Sequence, residues 1–335
     1  MSMFGKRSVG LEIGTRVVRA LVLEGTPQKP RITEAASAPI TAGTDATATA
    51  QAIHAALAQA RANGEAVVAA VGGPEVVVRQ LTLPPIPVGR VAQVLTLQHR
   101  EFGLLPPTEG LLDTQILRRS KSECSVLAVS VPRLLFDGRR RLLEQAAVKV
   151  RTLEAEPLAL LNATNYLARP DPGELLVTLD FGDERAMLCF LSERGPVVVR
   201  YLDVGASALI DRLRRAGLPV PETRGPSKLP RDEGDNERTG EVCRDLIRRV
   251  ADEVRMSLAY YRSEYDREGL PRYALSGWLR LGNLNLWLTD ELKLEAPFDV
   301  LDPFQAVRMT ASQGHTDESA GPEFVQAFGL ALRGL

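Results

Sequence analysis

Glu12 and Asp180 are the residues of this chain whose setting most suggests chemistry. Each ends an apolar run and is followed by one apolar residue and a glycine, as Val9-Gly10-Leu11-Glu12-Ile13-Gly14-Thr15 and Val177-Thr178-Leu179-Asp180-Phe181-Gly182-Asp183. An acid at the tip of a buried strand can hold a hydrated metal ion. The glycine behind it lets the backbone turn and offer N–H groups to phosphate. One acid-x-glycine is a common accident of a β-turn. Two copies far apart, each inside a strand-like run, predict a duplicated nucleotide-clamp fold whose hairpins face each other across a cleft.

Positioning two such hairpins takes more than one small core. The 335 residues leave room for two lobes. A hydrophobic share of 44% and a charged share of 25% are those of a soluble globular protein. The formal net charge of -1 gives no electrostatic reason to capture nucleic acid or an anionic membrane. Cys124, Cys189 and Cys243 are scattered, as are His54, His99 and His315. That spacing argues against zinc, and Cys124 and Cys189, which lie in apolar runs, read as buried free thiols of a reducing compartment. No apolar segment of signal-peptide or membrane-span length follows the basic stretch Met1–Ser8, so a cytosolic protein is expected, with any membrane association supplied by a partner.

The pattern along the chain is α/β. Strands are predicted at 9–13, 17–24 and 31–39, a helix over 48–63, and strands at 67–71 and 76–83. Pro84-Pro85-Ile86-Pro87 breaks the chain. Behind it the spacing predicts a helix over 88–102, strands at 111–117 and 125–130, a helix over 133–147 and a strand at 148–154, together a small α/β module at 85–150. A helix over 156–165 leads to strands at 175–179, 186–191 and 196–202 and a helix over 207–216. Residues 219–240 are rich in proline, glycine and charge and read as a mobile loop. A long helix over 241–264 follows, with Val242, Leu246, Val250, Val254, Leu258 and Tyr261 in one stripe. A strand at 273–276, a helix over 284–292 and a short helix over 323–332 finish the chain.

This order of elements resembles the actin/sugar-kinase/heat-shock ATPase superfamily, and more narrowly the PilM family of type IV pilus assembly proteins, relatives of the cell-division protein FtsA. The resemblance covers nearly the whole chain. It rests on residues 3–15, on Arg79-Gln80-Leu81-Thr82-Leu83-Pro84 with the module after it, and on Asp180-Phe181-Gly182. It continues through Arg200-Tyr201-Leu202-Asp203-Val204-Gly205, the helix segment 253–261, Leu275-Ser276-Gly277 and Val300-Leu301-Asp302-Pro303-Phe304. The resemblance implies an actin-like ATPase fold of two lobes around a central cleft. The first lobe would comprise 1–84 and 151–174, with the subdomain 85–150 inserted into it, and 175–335 would form the second. It further implies a cytoplasmic scaffold, peripheral to the inner membrane, that grips the N-terminal cytoplasmic peptide of a PilN-type bitopic membrane protein within the pilus alignment complex. A nucleotide-switched ATP-binding clamp of the same fold, a type II secretion assembly component and an FtsA-like filament-forming membrane tether stand as alternatives. The short, nearly uncharged segment Phe324–Leu335 weighs against the tether.

For the cleft, the resemblance implies a site for ATP and Mg²⁺ built from Glu12, Gly14, Thr15, Arg19, Asp180, Gly182 and Gly277, with Glu12 and Asp180 toward the metal. Three departures weaken it. Glu12 replaces the usual aspartate and pushes the charge one methylene further out. Ala186 stands where a threonine hydroxyl is expected, and Asp183 and Glu184 add negative charge beside the phosphates. Trp278 replaces the second of two paired glycines, where it either plugs the adenosine site or stands exposed beside an intact pocket. Weak or absent ATP binding and no useful hydrolysis are expected, and no general base stands ready to activate water.

Four other features stand outside these motifs. Arg139-Arg140-Arg141 reads as the solvated face of a helix, Tyr261 as a core residue and His99 as a satisfied boundary histidine. The apolar stretch holding Leu81, Leu83, Pro84 and Ile86 reads equally as a rigid linker and as the wall of a peptide groove between the first lobe and the module.

Overall fold

Val67–Val71 and Leu175–Phe181 are buried at every position, as strands covered on both faces must be. The computed structural model describes residues 6–41, 46–192, 195–220, 233–265, 270–278, 281, 283–309 and 321–335. The chain runs β1 (Lys6–Ile13), β2 (Val17–Thr26), β3 (Lys29–Pro39), α1 (Ala46–Gln59), β4 (Val67–Val71) and β5 (Val77–Leu83). Next come α2 (Val91–Leu97), β6 (Gly110–Arg119), β7 (Cys124–Pro132), α3 (Arg133–Gln145), β8 (Val150–Ala155) and α4 (Glu156–Ala168). The second half is β9 (Leu175–Phe181), β10 (Ala186–Ser192), β11 (Gly195–Leu202), α5 (Ala206–Arg215), α6 (Glu233–Tyr265) and β12 (Pro271–Gly277). It closes with α7 (Leu284–Leu292), β13 (Asp299–Val300), α8 (Pro303–Ala306), a 3-10 turn (Gly321–Phe324) and α9 (Val325–Gly334).

The two large sheets share one plan. Strands β1, β2 and β3 form an antiparallel meander, and β4 and β8 add in parallel on the other side of β1. Strands β9, β10 and β11 repeat the meander, and β12 and β13 add in parallel beside β9. The duplication foreseen from Glu12 and Asp180 is therefore a duplication of whole sheets, with each acid near the C-terminal end of the first strand.

Helices cover and separate the sheets. Ile53 and Leu57 of α1 and Leu143 of α3 close the outer face of the first sheet. Leu160 of α4 and Phe328 of α9 lie between the sheets, in one core with Leu21, Leu23, Leu176 and Met187. On the far face of the second sheet the α6 stripe is buried through Leu246, Val250, Val254 and Tyr261, the last edge-on to Phe190 with ring centroids 6.0 Å apart. The layers run helix, sheet, helix, sheet, helix, so the cleft between the sheets is floored by the central helices.

The third sheet, β5-β7-β6, is the inserted module. Its limits differ from the proline boundary. All of β5 is hydrogen-bonded to β7, so the module sheet starts at Val77, and α3 packs on the first lobe through Leu143 and Ala146. Proline marks a break in the chain but not which sheet the preceding strand joins. Likewise α9 lies far along the expected second lobe yet packs on β1 and α4. Helix α2 ends at Leu97, short of 102. Residues 233–240 of the expected mobile loop are the first turns of α6, while 221–232 lie outside the described residues.

Phe328 is fully buried between the sheets, 5.6 Å from the Tyr166 ring. Replacing it by alanine removes a large side chain from the layer both lobes share. We expect Phe328→Ala to cost about 3–5 kcal/mol, read as a lower urea midpoint at unchanged slope.

Candidate functional site

A cavity of about 760 Å³ opens between the lobes, and Glu12, Gly14, Thr15, Arg19, Asp180, Gly182 and Gly277 all line it. Its centre is a buried charge relay. Glu12 on β1 faces Arg19 on β2 in the antiparallel register. Arg19 Nη1 donates to Glu12 Oε1 at 3.0 Å, and its Nη2 donates to Glu323 Oε2 at 3.0 Å. Burial opposes the charge on Arg19, but Glu12 and then Glu323 hold the guanidinium above its usual range. Burial pushes the Glu12 carboxyl up to about 8, with Asp180, Asp183 and Glu156 adding to the rise and Arg19 opposing it. Glu12 Oε2 is buried and has no hydrogen-bond partner among the described residues.

Asp180 sits opposite. Its Oδ1 accepts from Ser276 Oγ at 2.5 Å and its Oδ2 from Gln326 Nε2 at 3.4 Å. Burial raises its pKa, against these hydrogen bonds and the charge of Arg19. The two candidate metal acids are thus both engaged by protein groups. Among the described residues no three acids, histidines or cysteines converge as a metal-ligand set.

The turns around the acids are closely fitted. Gly277 has φ +85°, and a Cβ there would lie 2.3 Å from the Phe181 carbonyl oxygen, so only glycine lets β12 end against β9. The next N–H, of Trp278, donates to that carbonyl at 2.7 Å. The Trp278 side chain is 5% exposed, belongs to the second-lobe core with Leu281 and Leu284, and also borders the cavity. It does not stand exposed beside the pocket, because the left-handed turn at Gly277 directs the next residue into the core. Ala186 is fully buried in the same core.

Several site residues escaped the sequence reading. Glu156, at the start of α4, accepts from Tyr201 Oη at 2.9 Å, and Tyr201 Oη accepts the Gly73 N–H at 3.2 Å. This chain joins both lobes in the wall of the cavity, and burial raises the Glu156 pKa against the Tyr201 hydrogen bond. Gln326 and Glu323 arrive from the C-terminal segment. Arg139 corrects an expectation. It lines the cavity, its Nη2 donates to the Ile13 carbonyl at 3.5 Å, and burial lowers its pKa. Only Arg140 and Arg141 of that run are exposed. The signal was present: Arg139 is spaced four residues from both Leu135 and Leu143, on the apolar stripe of α3.

The groove candidates need a second correction. Leu83 is 3% exposed in the module's own core, where Leu81 and Ile86 also pack with Val91 and Leu95 of α2. Val76 and Val78 instead pack with Val71 and Ala155 of the first lobe. Strand alternation therefore points Leu81 and Leu83 toward α2, away from the first lobe. Pro84 is exposed. His99 Nδ1 lies 3.1 Å from the Thr96 carbonyl, a local contact, and the three cysteines are buried and free.

No protein-family model matches the sequence, and no curated protein matches it. Among solved structures, the PilM–PilN type IV pilus biogenesis complex matches with a TM-score of 0.77 and 24% identity, over 98% of this chain and 98% of that one. This chain has an actin-like ATPase fold. The ethanolamine utilization protein EutJ from Carboxydothermus hydrogenoformans also matches, with a TM-score of 0.53 and 15% identity over 98% of this chain and 89% of that one. In the actin-like fold described here, the paired acids, the Gly277 turn and the C-terminal segment meet at the cleft between two like sheets.

Two measurements test the charge relay. Arg19→Ala strands the Glu323 carboxylate and leaves Glu12 without its donor in the core, and we expect a loss of about 3–5 kcal/mol in chemical denaturation. Between the ordinary carboxylate range and about 8, the folded protein keeps a proton on Glu12 that the unfolded chain has released. Stability should therefore fall as pH rises through that window, and Glu12→Gln should make the fall shallower. An equal slope in the variant would show that Glu12 does not carry it.

Proposed function

We propose that this protein is a non-catalytic scaffold of a type IV pilus inner-membrane complex, and that it binds the N-terminal cytoplasmic peptide of a PilN-type bitopic membrane protein. The observation that carries this reading is the whole-chain likeness to the PilM–PilN complex, inserted module included. No helix among the described residues is long and apolar enough to cross a membrane. In this reading the protein is held at the cytoplasmic face of the inner membrane by its partner.

An extended peptide binds most simply by adding to an open sheet edge, with backbone hydrogen bonds for affinity and alternate side chains for register. The module supports this in β6, which among the described residues pairs only with β7. Its face toward the first lobe is already filled by Val78, Leu127, Val129 and Val131, so we place the peptide along the β6 edge.

The cleft, in the same reading, does not take Mg²⁺ and ATP. Glu12 is spent on Arg19, Asp180 on Ser276 and Gln326, and Trp278 occupies the second-glycine position. Titration calorimetry with ATP and Mg²⁺ should give no saturable heat. One-to-one binding would favour a nucleotide-switched clamp of the same fold instead.

For the partner, a PilN-type N-terminal peptide on a soluble carrier should bind with a dissociation constant on the order of micromolar. Absence of binding to the folded protein, by pull-down and by titration, would sink the scaffold reading.

A further inference from the structure

The turn after β1 carries the groups that would receive an anion in the cleft. Those groups are already engaged. Asp183 Oδ2 accepts from Thr15 Oγ1 at 3.4 Å and from the Arg16 N–H at 3.2 Å. A carboxylate of the second lobe thus sits on the donors of the first, across a sequence separation of more than 160 residues.

The carboxylate is presented by a rigid turn. The Gly182 N–H donates to the Arg185 carbonyl at 3.1 Å, closing the hairpin. The Ala206 and Ser207 N–H groups at the start of α5 donate to the carbonyls of Gly182 and Asp183 at 3.0 and 2.8 Å. Donors that a helix start would offer to an anion are therefore consumed by the turn itself. Gly205 makes this approach possible: a Cβ there would lie 2.4 Å from the Glu184 carbonyl carbon and 2.6 Å from the Arg185 nitrogen. An ion pair from Arg185 to Asp203 at 2.9 Å braces the far side of the turn.

We propose that Asp183 is a built-in anion that occupies the phosphate position of the first hairpin and clasps the two lobes without nucleotide. It takes the place of a phosphate oxygen, as Arg19 between Glu12 and Glu323 supplies the positive charge a metal would bring. Any phosphate ligand must displace Asp183 and then bear its repulsion. The inference rests on reading the cleft as closed to Mg²⁺ and ATP; it does not depend on the pilus partner.

The test uses the full chain, inorganic pyrophosphate as probe, and hydrogen exchange at the Arg16 amide. Asp183→Ala removes the clasp. Asp183→Asn keeps the shape but weakens the acceptor and removes the charge, and serves if the alanine variant is poorly folded. Glu184→Ala removes a neighbouring exposed charge that makes no contact with the first turn in the structure. We expect both Asp183 variants to bind pyrophosphate at least about tenfold more tightly than the wild type. The Glu184 variant should change much less, and Arg16 exchange should quicken only when Asp183 is replaced. Equal gains in the Asp183 and Glu184 variants would overturn the clasp in favour of general repulsion. So would Arg16 exchange that is unaltered in a folded Asp183 variant. Tight uptake of Mg²⁺ and ATP by the wild type would instead sink the earlier reading of the cleft, while Arg16 exchange decides the clasp by itself.

Discussion

A guanidinium taken out of water must find carboxylates, because an unpaired buried charge costs several kcal/mol. Arg19 finds two, Glu12 from the neighbouring strand and Glu323 from the turn before α9. That shared cation fixes more than its own hairpin. It ties the first strands to the last segment of the chain, and it sets where Gln326, three residues beyond Glu323, can reach Asp180. The floor of the cleft is therefore built from two lobes and the C-terminal helix together, and it is held by charge as much as by packing.

The same economy explains the character of the cleft. Two like sheets place two acids face to face, an arrangement that repels itself unless something intervenes. Arg19, Ser276 and Gln326 intervene here, all from the protein. The Glu156–Tyr201–Gly73 chain then links α4, β11 and the turn after β4 in the wall of the same cavity. The cleft is thus supplied internally with both signs of charge.

Much of the fold could be read from period and punctuation. Continuous apolar runs became buried strands, the six-residue stripe of α6 became a core face, and α7 began and ended where its pattern did. The errors came from long-range pairing. Nothing local tells β5 to join β7 and not the first sheet, or α9 to return to β1, since those choices depend on which surfaces remain uncovered once the rest has packed. Leu81 and Leu83 misled for the same reason: alternation gives two faces, and only the packing of α2 says which is inward.

The sequence by itself determined the duplication, the paired acids on their glycine turns, the buried free cysteines and the α/β class. These are local consequences of residue type and spacing. Only the tertiary structure decided what each acid does. Arg19 could serve a phosphate or a carboxylate, and Glu323 settles it from 304 positions away. Asp183 looked like stray negative charge until the lobes came together and placed it on Thr15 and Arg16. Electrostatic roles are set by distance in space, and at these sequence separations the chain carries no local record of it.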